Sequence, residues 1–129
     1  MDASPMDVAP DEFGCAETVN EIYKKAFGSY IETPGISTTK IFAAMVDRQD
    51  KFVRLTDPEP GNIIISPTGF SNFPNTPIKN GHVGIFGKDL KIMSNSSSTG
   101  KFQENYTLDT WIERYRVNGG YPIYYFKVI

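Results

Sequence analysis

The chain has 129 residues, of which 40% are apolar and 22% charged, the size and composition of one globular domain with one hydrophobic core. Thirteen Lys and Arg against fifteen Asp and Glu give a net charge of −2, which supplies no basic surface for nucleic acid or anionic lipid. One cysteine, Cys15, excludes an internal disulfide. A single histidine, His82, leaves too few ligands for a zinc site, so we expect no metal and no cofactor.

Residues 1–10 contain two prolines and small polar side chains, and they predict an extended N-terminal arm followed by one domain over residues 11–129. The chain starts without a basic segment leading into an apolar one, so no secretory signal is expected. We therefore expect synthesis in the cytoplasm, with release or delivery before the protein acts elsewhere. The longest apolar stretches are a few residues long, which predicts no membrane insertion.

Two helices are predicted in the first half of the chain. Apolar residues at helical spacing follow Cys15, and Gly28 is a plausible end for this first helix. Ser37 or Thr38 is a good N-cap for a second helix that ends at about Arg48.

The second half of the chain reads mainly as strands. Residues 62–66 predict a short strand buried on both faces, residues 82–86 and 91–95 predict a hairpin, and residues 121–129 predict a closing strand. Thr107 is a good N-cap for a short helix before that last strand. Helices followed by mostly antiparallel strands indicate the α+β class.

Residues 67–81 show neither helical nor strand periodicity, and they contain three Pro, three Asn, two Gly and two Phe. A loop of about fifteen residues is long for a small domain, and such loops often carry function. Phe70 and Phe73 are therefore candidate substrate-binding residues. The alternative is that both rings pack back onto the core.

Cys15 and His82 could together form a nucleophile and its base. Cys15 lies at a helix N-terminus, where the partial positive charge favours the thiolate and free backbone N–H groups can bind an oxyanion. His82 would take the thiol proton and then protonate the leaving amine. The alternatives are a cysteine that is only a small buried side chain and a histidine that is only structural.

The predicted hairpin suggests a third member for this pair. If Lys88 and Asp89 form a two-residue turn, His82 pairs with Asn95 on one face of the sheet, where the amide could orient the imidazole. A loop with one residue more or fewer would favour Ser94 instead, and Asn95 could also be a simple strand-end turn residue.

Three segments together resemble a known group of enzymes. They are Gly14-Cys15-Ala16-Glu17-Thr18-Val19, Pro60-Gly61-Asn62-Ile63-Ile64-Ile65 and Gly81-His82-Val83-Gly84-Ile85-Phe86. Their order and spacing are similar to those of the papain-like cell-wall peptidases of the NlpC and CHAP families. The resemblance covers roughly residues 11–95, and the segment around His82 is its most specific part.

The resemblance implies a papain-like domain over residues 11–129, with N-terminal helices packed on a small antiparallel sheet. It also implies a cysteine endopeptidase or amidase that cleaves the peptide part of bacterial peptidoglycan through Cys15, His82 and a polar third residue, Asn95. The sequence departs from the family where Asn62 replaces the usual Asp and where Gly14-Cys15-Ala16 replaces the common Asp-Cys-Ser-Gly. The third position also lacks the His common in NlpC-type members.

Two other functions are compatible with the same residues. One is a papain-like deamidase or transglutaminase-like toxin, and the other is a non-enzymatic phage structural or binding module with an inert Cys15. The polar run over residues 92–100 and the segment around Trp111 resemble phage-encoded lysis or virion-associated proteins. A virion or lysis system is therefore one expected setting for the chain.

Overall fold

Helices form where the sequence predicts them. In the computed structural model, which describes residues 6–7, 14–35, 37–96 and 101–129, helix α1 spans Gly14–Phe27 and helix α2 spans Thr38–Asp47. The Ser37 side chain caps α2 by accepting a hydrogen bond from the Lys40 amide. Helix α3 (Leu108–Trp111) follows a capping box and continues as a π-helical turn over Ile112–Asn118. None of the helices in the described parts of the chain is long and apolar enough to cross a membrane.

The strands join into one antiparallel sheet, which confirms the α+β class. The spatial order is β1-β6-β5-β4-β3-β7-β2, and every neighbouring pair is antiparallel. The part of the predicted N-terminal arm outside residues 6–7, and residues 97–100 of the polar run, lie outside the described residues. The strands are β1 (Met6–Asp7), β2 (Phe52–Leu55), β3 (Ile63–Ser66), β4 (His82–Phe86), β5 (Ile92–Asn95), β6 (Lys101–Tyr106) and β7 (Tyr124–Val128).

Side-chain alternation along the strands divides the core into two clusters, one on each face of the sheet. In β3, Ile63 and Ile65 face α1 and α2, whereas Ile64 faces α3 and the π-helical turn. We call these clusters the helix-side core and the aromatic-side core. The first includes Cys15, Val19, Ile22, Ile41, Met45, Val83, Ile85, Met93, Phe102 and Phe126, and the second includes Phe86, Ile92, Trp111, Tyr115, Tyr121 and Ile123.

The turn between β4 and β5 differs from the predicted two-residue turn. Three residues, Lys88–Leu90, form this turn; Asp89 and Leu90 both have φ of 57°, and the Gly87 amide donates to Lys91 O at 2.7 Å. The paired residues are accordingly Ile85 with Met93 and Phe86 with Ile92. The predicted two-residue turn is wrong because the hydrogen bond from Gly87 to Lys91 encloses three residues, within which the positive φ of Asp89 and Leu90 reverses the chain.

This change of register moves the predicted partner of His82. Continued along both strands, the observed register places Ser96 rather than Asn95 across from His82. Asn95 pairs with Phe102 of β6, and directly opposite residues project to the same face of a sheet. The predicted His82–Asn95 pair is therefore wrong, since Asn95 lies on the helix side whereas His82 lies on the aromatic side.

Candidate functional site

A cavity of about 610 Å³ opens where β4 begins. A volume of this size is typical of a site for a small ligand or a short peptide segment. Its walls come from the start of α1, the end of the loop over residues 67–81, the ends of β4, β5 and β6, and the π-helical turn. The lining residues are Cys15, Pro77, Ile78, Lys79, Asn80, Gly81, His82, Asn95, Ser96, Asn105, Tyr106, Arg114 and Tyr115.

Cys15 reaches this cavity from the helix side of the sheet. It is the second residue of α1, its exposed fraction is 3%, and it packs within the helix-side core. The first turn of a helix has backbone N–H groups without intrahelical partners, so the environment of Cys15 favours negative charge. Its position at a helix start was predicted from the sequence.

His82 reaches the same cavity from the aromatic side. Its imidazole stacks on Trp111 with ring centroids 5.4 Å apart and on Tyr115 at 5.9 Å, and the Tyr106 ring meets it edge-on at 5.8 Å. Among the residues that the structure describes, the imidazole has these three ring contacts, whereas the His82 backbone pairs with Ser66 in the sheet. Aromatic packing therefore holds the ring.

The charge state of His82 follows from these surroundings. Burial, assisted by the positive charge of Arg114, lowers the pKa of His82 from 6.5 to about 4. The imidazole is consequently neutral at pH 7. A neutral imidazole can accept a proton, as a general base must.

The backbone just before His82 is fixed by a threonine. The Gly81 amide donates to Thr68 Oγ1 at 2.9 Å, and Thr68 Oγ1 lies 3.0 Å from Thr38 Oγ1 at the start of α2. A Cβ on Gly81 would lie 1.9 Å from Ser66 O, so no larger residue fits there without displacement of the chain. These contacts set the point at which β4 begins, and thus the position of the imidazole.

The two candidates for a third catalytic member lie in different places. Asn95 lines the cavity and is buried, on the face that carries Cys15. Ser94 is fully buried, does not line the cavity, and its Oγ has no hydrogen-bond partner among the described residues. By the observed register, Ser94 faces the same side as His82 but lies opposite Gly84, whereas Asn95 faces the other side.

Phe70 and Phe73, the candidate substrate-binding residues, do not line the cavity among its described walls. The Phe70 ring meets Phe42 of α2 edge-on, with centroids 5.3 Å apart. Phe73 packs over Gly120, where an added Cβ would lie 2.6 Å from the Phe73 ring. Both rings pack against the protein but remain partly exposed, at 36% and 46%.

Sequence reasoning missed the residues that form the rest of the cavity wall. Tyr106 and Tyr115 flank the imidazole, and Arg114 and Lys79 bring positive charge. Burial raises the pKa of Tyr115, which also shares hydrogen bonds with Tyr106 and Arg114. The four-residue spacing of Trp111 and Tyr115 was a signal that both rings share one helix face.

In the described residues, no group of three or more His, Cys, Asp and Glu could hold a metal ion.

The chain was also compared with known proteins. No family model, no curated protein and no solved structure matches it. A functional assignment therefore depends on the residues around the cavity and on the chemistry that they can support.

Proposed function

We propose that this chain is a papain-like cysteine hydrolase that cleaves amide bonds in the peptide part of bacterial peptidoglycan, as an endopeptidase or amidase. Cys15 is the nucleophile and His82 is its base. One observation carries the proposal: a thiol at a helix start and the only imidazole of the chain, 67 residues apart in sequence, border the same cavity.

The neutral imidazole of His82 supports a general-base mechanism. It accepts the Cys15 proton as the sulfur attacks the amide carbonyl, and the first backbone N–H groups of α1 are available to stabilise the oxyanion. The resulting imidazolium protonates the departing amine, which leaves a thioester on Cys15. His82 then deprotonates a water molecule that attacks the thioester, the acid product is released, and the imidazolium returns its proton to the departing Cys15 sulfur.

The low pKa of His82 distinguishes this site from one that rests as a thiolate–imidazolium pair. Burial and the charge of Arg114 both disfavour the imidazolium, so the ring is neutral in the resting state. The proton then moves only during attack, and stacking on Trp111 and Tyr115 limits rotation of the ring. Orientation by aromatic contacts takes the place that a polar third residue has in a triad.

The proposal is tested by incubating the protein with purified sacculi and identifying released fragments by mass spectrometry. We expect Cys15→Ser and His82→Ala each to lower the rate by a factor of about 10³ or more, with only small changes in thermal midpoint. Thr56→Ala, at an exposed turn away from the cavity, is the matched control. Iodoacetamide should stop the reaction and EDTA should not. Full activity in Cys15→Ser would refute the mechanism.

A non-enzymatic binding module is the second candidate function. The observation that favours it is the packing of the His82 imidazole among three aromatic rings, which is what a purely structural histidine would show. In such a module Cys15 would be inert, and iodoacetamide would react with it no faster than with the same cysteine in the unfolded chain. Release of ammonia without peptide fragments would instead indicate a deamidase.

A further inference from the structure

The charged side chains among the described lining residues of the cavity are all of one sign. Two of the lining residues, Lys79 and Arg114, are cationic, and none of the described lining residues is Asp or Glu. The chain as a whole has a net charge of −2, so this positive wall runs against the overall balance. A concave surface lined by one sign of charge attracts ligands of the opposite sign.

Among the described residues, no carboxylate pairs with Lys79 or Arg114. The ion pair that forms among the described residues joins Lys91 to Glu104 at 3.9 Å, on the exposed surface. Arg114 instead contacts Tyr115, with its guanidinium 5.5 Å from the centroid of that ring. Contact with Tyr115 restricts the guanidinium and leaves its charge available to a ligand.

We propose that the cavity selects peptides that carry a carboxylate beside the amide bond to be cleaved, with Arg114 and Lys79 as the anion-binding residues. This inference rests on the proposed hydrolase function and names the substrate class of that site. A guanidinium matches a carboxylate with two parallel hydrogen bonds, whereas the ammonium of Lys79 adds a second, less directional charge. The neutral analogue of the same peptide would leave both cations without a counter-ion.

Binding of an anionic substrate should also change the basicity of His82. The positive charge of Arg114 contributes to the lowered pKa of His82. A carboxylate bound to Arg114 compensates that charge, so the imidazole becomes a stronger proton acceptor only when the anionic substrate is present. Through Arg114, the substrate carboxylate therefore contributes both to binding affinity and to the activation of His82.

The test uses the full chain with Cys15→Ser, in which turnover is stopped and binding can be measured at equilibrium. One probe is a synthetic stem tetrapeptide with free carboxylates, and the other is the same peptide with each carboxylate converted to a primary amide. We expect the free carboxylates to lower Kd at least tenfold. We also expect the anionic probe to raise the pKa of His82, followed by NMR of this single histidine.

Substitutions identify the residue responsible. Arg114→Gln, added to Cys15→Ser, should abolish the tenfold preference, and Arg114→Lys should restore part of it. Arg116→Gln is the matched control, because Arg116 is an exposed arginine of the same turn that does not line the cavity. Lys79→Met should reduce the preference less than Arg114→Gln does.

Failure of this inference and failure of the proposed function give different results. Equal Kd values for the two probes, or a preference that survives Arg114→Gln, would overturn the inference even if sacculi are cleaved. The opposite result is a protein that prefers the carboxylate probe, loses this preference only in Arg114→Gln, and never cleaves an amide. That result would support the anion-binding site and refute the proposed hydrolase function.

Discussion

The two faces of the sheet are built from different side chains and contribute differently to the site. The helix-side core is mainly aliphatic, and it holds Cys15 through the packing of α1. The aromatic-side core surrounds Trp111 and Tyr115, and it holds His82 by ring stacking. The proposed nucleophile and base thus belong to separate clusters on opposite faces of the sheet, and both residues border the cavity at the beginning of β4.

Because Cys15 and His82 lie in different cores, the two halves of the site can be perturbed independently. A change in the aromatic-side core should alter the pKa of the imidazole, whereas a change in the helix-side core should alter stability and leave that pKa alone. Because His82 is the only histidine, its titration reports on one face of the sheet without interference from other imidazoles.

The largest expected effect comes from Trp111→Leu. Trp111 is fully buried, stacks on His82, and donates from Nε1 to Ser66 Oγ at 3.1 Å. We expect the substitution to cost roughly 3–4 kcal/mol in the free energy of unfolding, because it leaves a cavity and a buried hydroxyl without its partner. Denaturant unfolding measures this cost.

The matched change on the other face is Ile85→Val, which should cost about 1 kcal/mol. Trp111→Leu should raise the pKa of His82 toward 6.5 by admitting water, and Ile85→Val should leave it unchanged. Equal pKa shifts in the two variants would show that the faces are not independent.

Acidification is expected to destabilise the protein through His82. Its pKa in the folded chain, about 4, lies below the 6.5 of the unfolded chain, so the unfolded chain binds the extra proton between these values. The free energy of unfolding should therefore fall as pH is lowered from about 6.5 to about 4, by up to roughly 3 kcal/mol. The difference in the free energy of unfolding between the wild-type protein and His82→Phe is measured across this pH range. It isolates the contribution of His82, because the carboxylates are the same in both proteins. A pH-independent difference would contradict the neutral, buried imidazole.

A smaller effect is expected from Thr68→Val, which removes the hydroxyl that joins Gly81 to the start of α2. We expect a loss of about 1–2 kcal/mol in stability, since a buried hydrogen-bonding group loses its partner. Hydrolysis should also slow, because the backbone before His82 is released. Thr56→Val, at an exposed position, should change neither the unfolding curve nor the rate. Loss of stability without any change in rate would show that Thr68 does not position the imidazole.

The smallest effects are expected at Phe70 and Phe73. Neither ring lines the described cavity walls, so Phe70→Leu and Phe73→Leu should each change the rate of peptide hydrolysis by less than about twofold. A tenfold rise in KM for either variant would instead indicate that the substrate contacts the loop over residues 67–81 as well as the cavity.

The elements that the sequence predicted correctly have strong local signals. Helix α2 begins at the cap residue Ser37, and β3 is the run of β-branched residues after Asn62. The edge strand β2 was missed because Val53 and Arg54 are both exposed, which removes the alternation expected of a half-buried strand. Strand β6 was missed because four of its six residues, Lys101, Gln103, Glu104 and Asn105, are polar.

The candidate site was predicted in part for a related reason. Cys15 and His82 could be located because each begins an element whose pattern is clear in the sequence. The third position could not, since it depended on whether the turn after Gly87 has two or three residues, and left-handed backbone at Leu90 has no sequence signal. The cations Lys79 and Arg114 come from segments that only tertiary packing brings together.

The contacts between the loop over residues 67–81 and the turn at Gly119 and Gly120 have a consequence for proteolysis. Ser71 Oγ donates to Gly119 O, the Asn72 amide donates to Gly120 O at 2.9 Å, and Phe73 occupies the space beside Gly120. These contacts anchor the exposed loop to the segment that carries Arg114, so the two should move as one body. Trypsin should therefore cut slowly after Lys79 despite its exposure, and Gly120→Ala, which places a methyl group against Phe73, should turn the same bond into an early cleavage site.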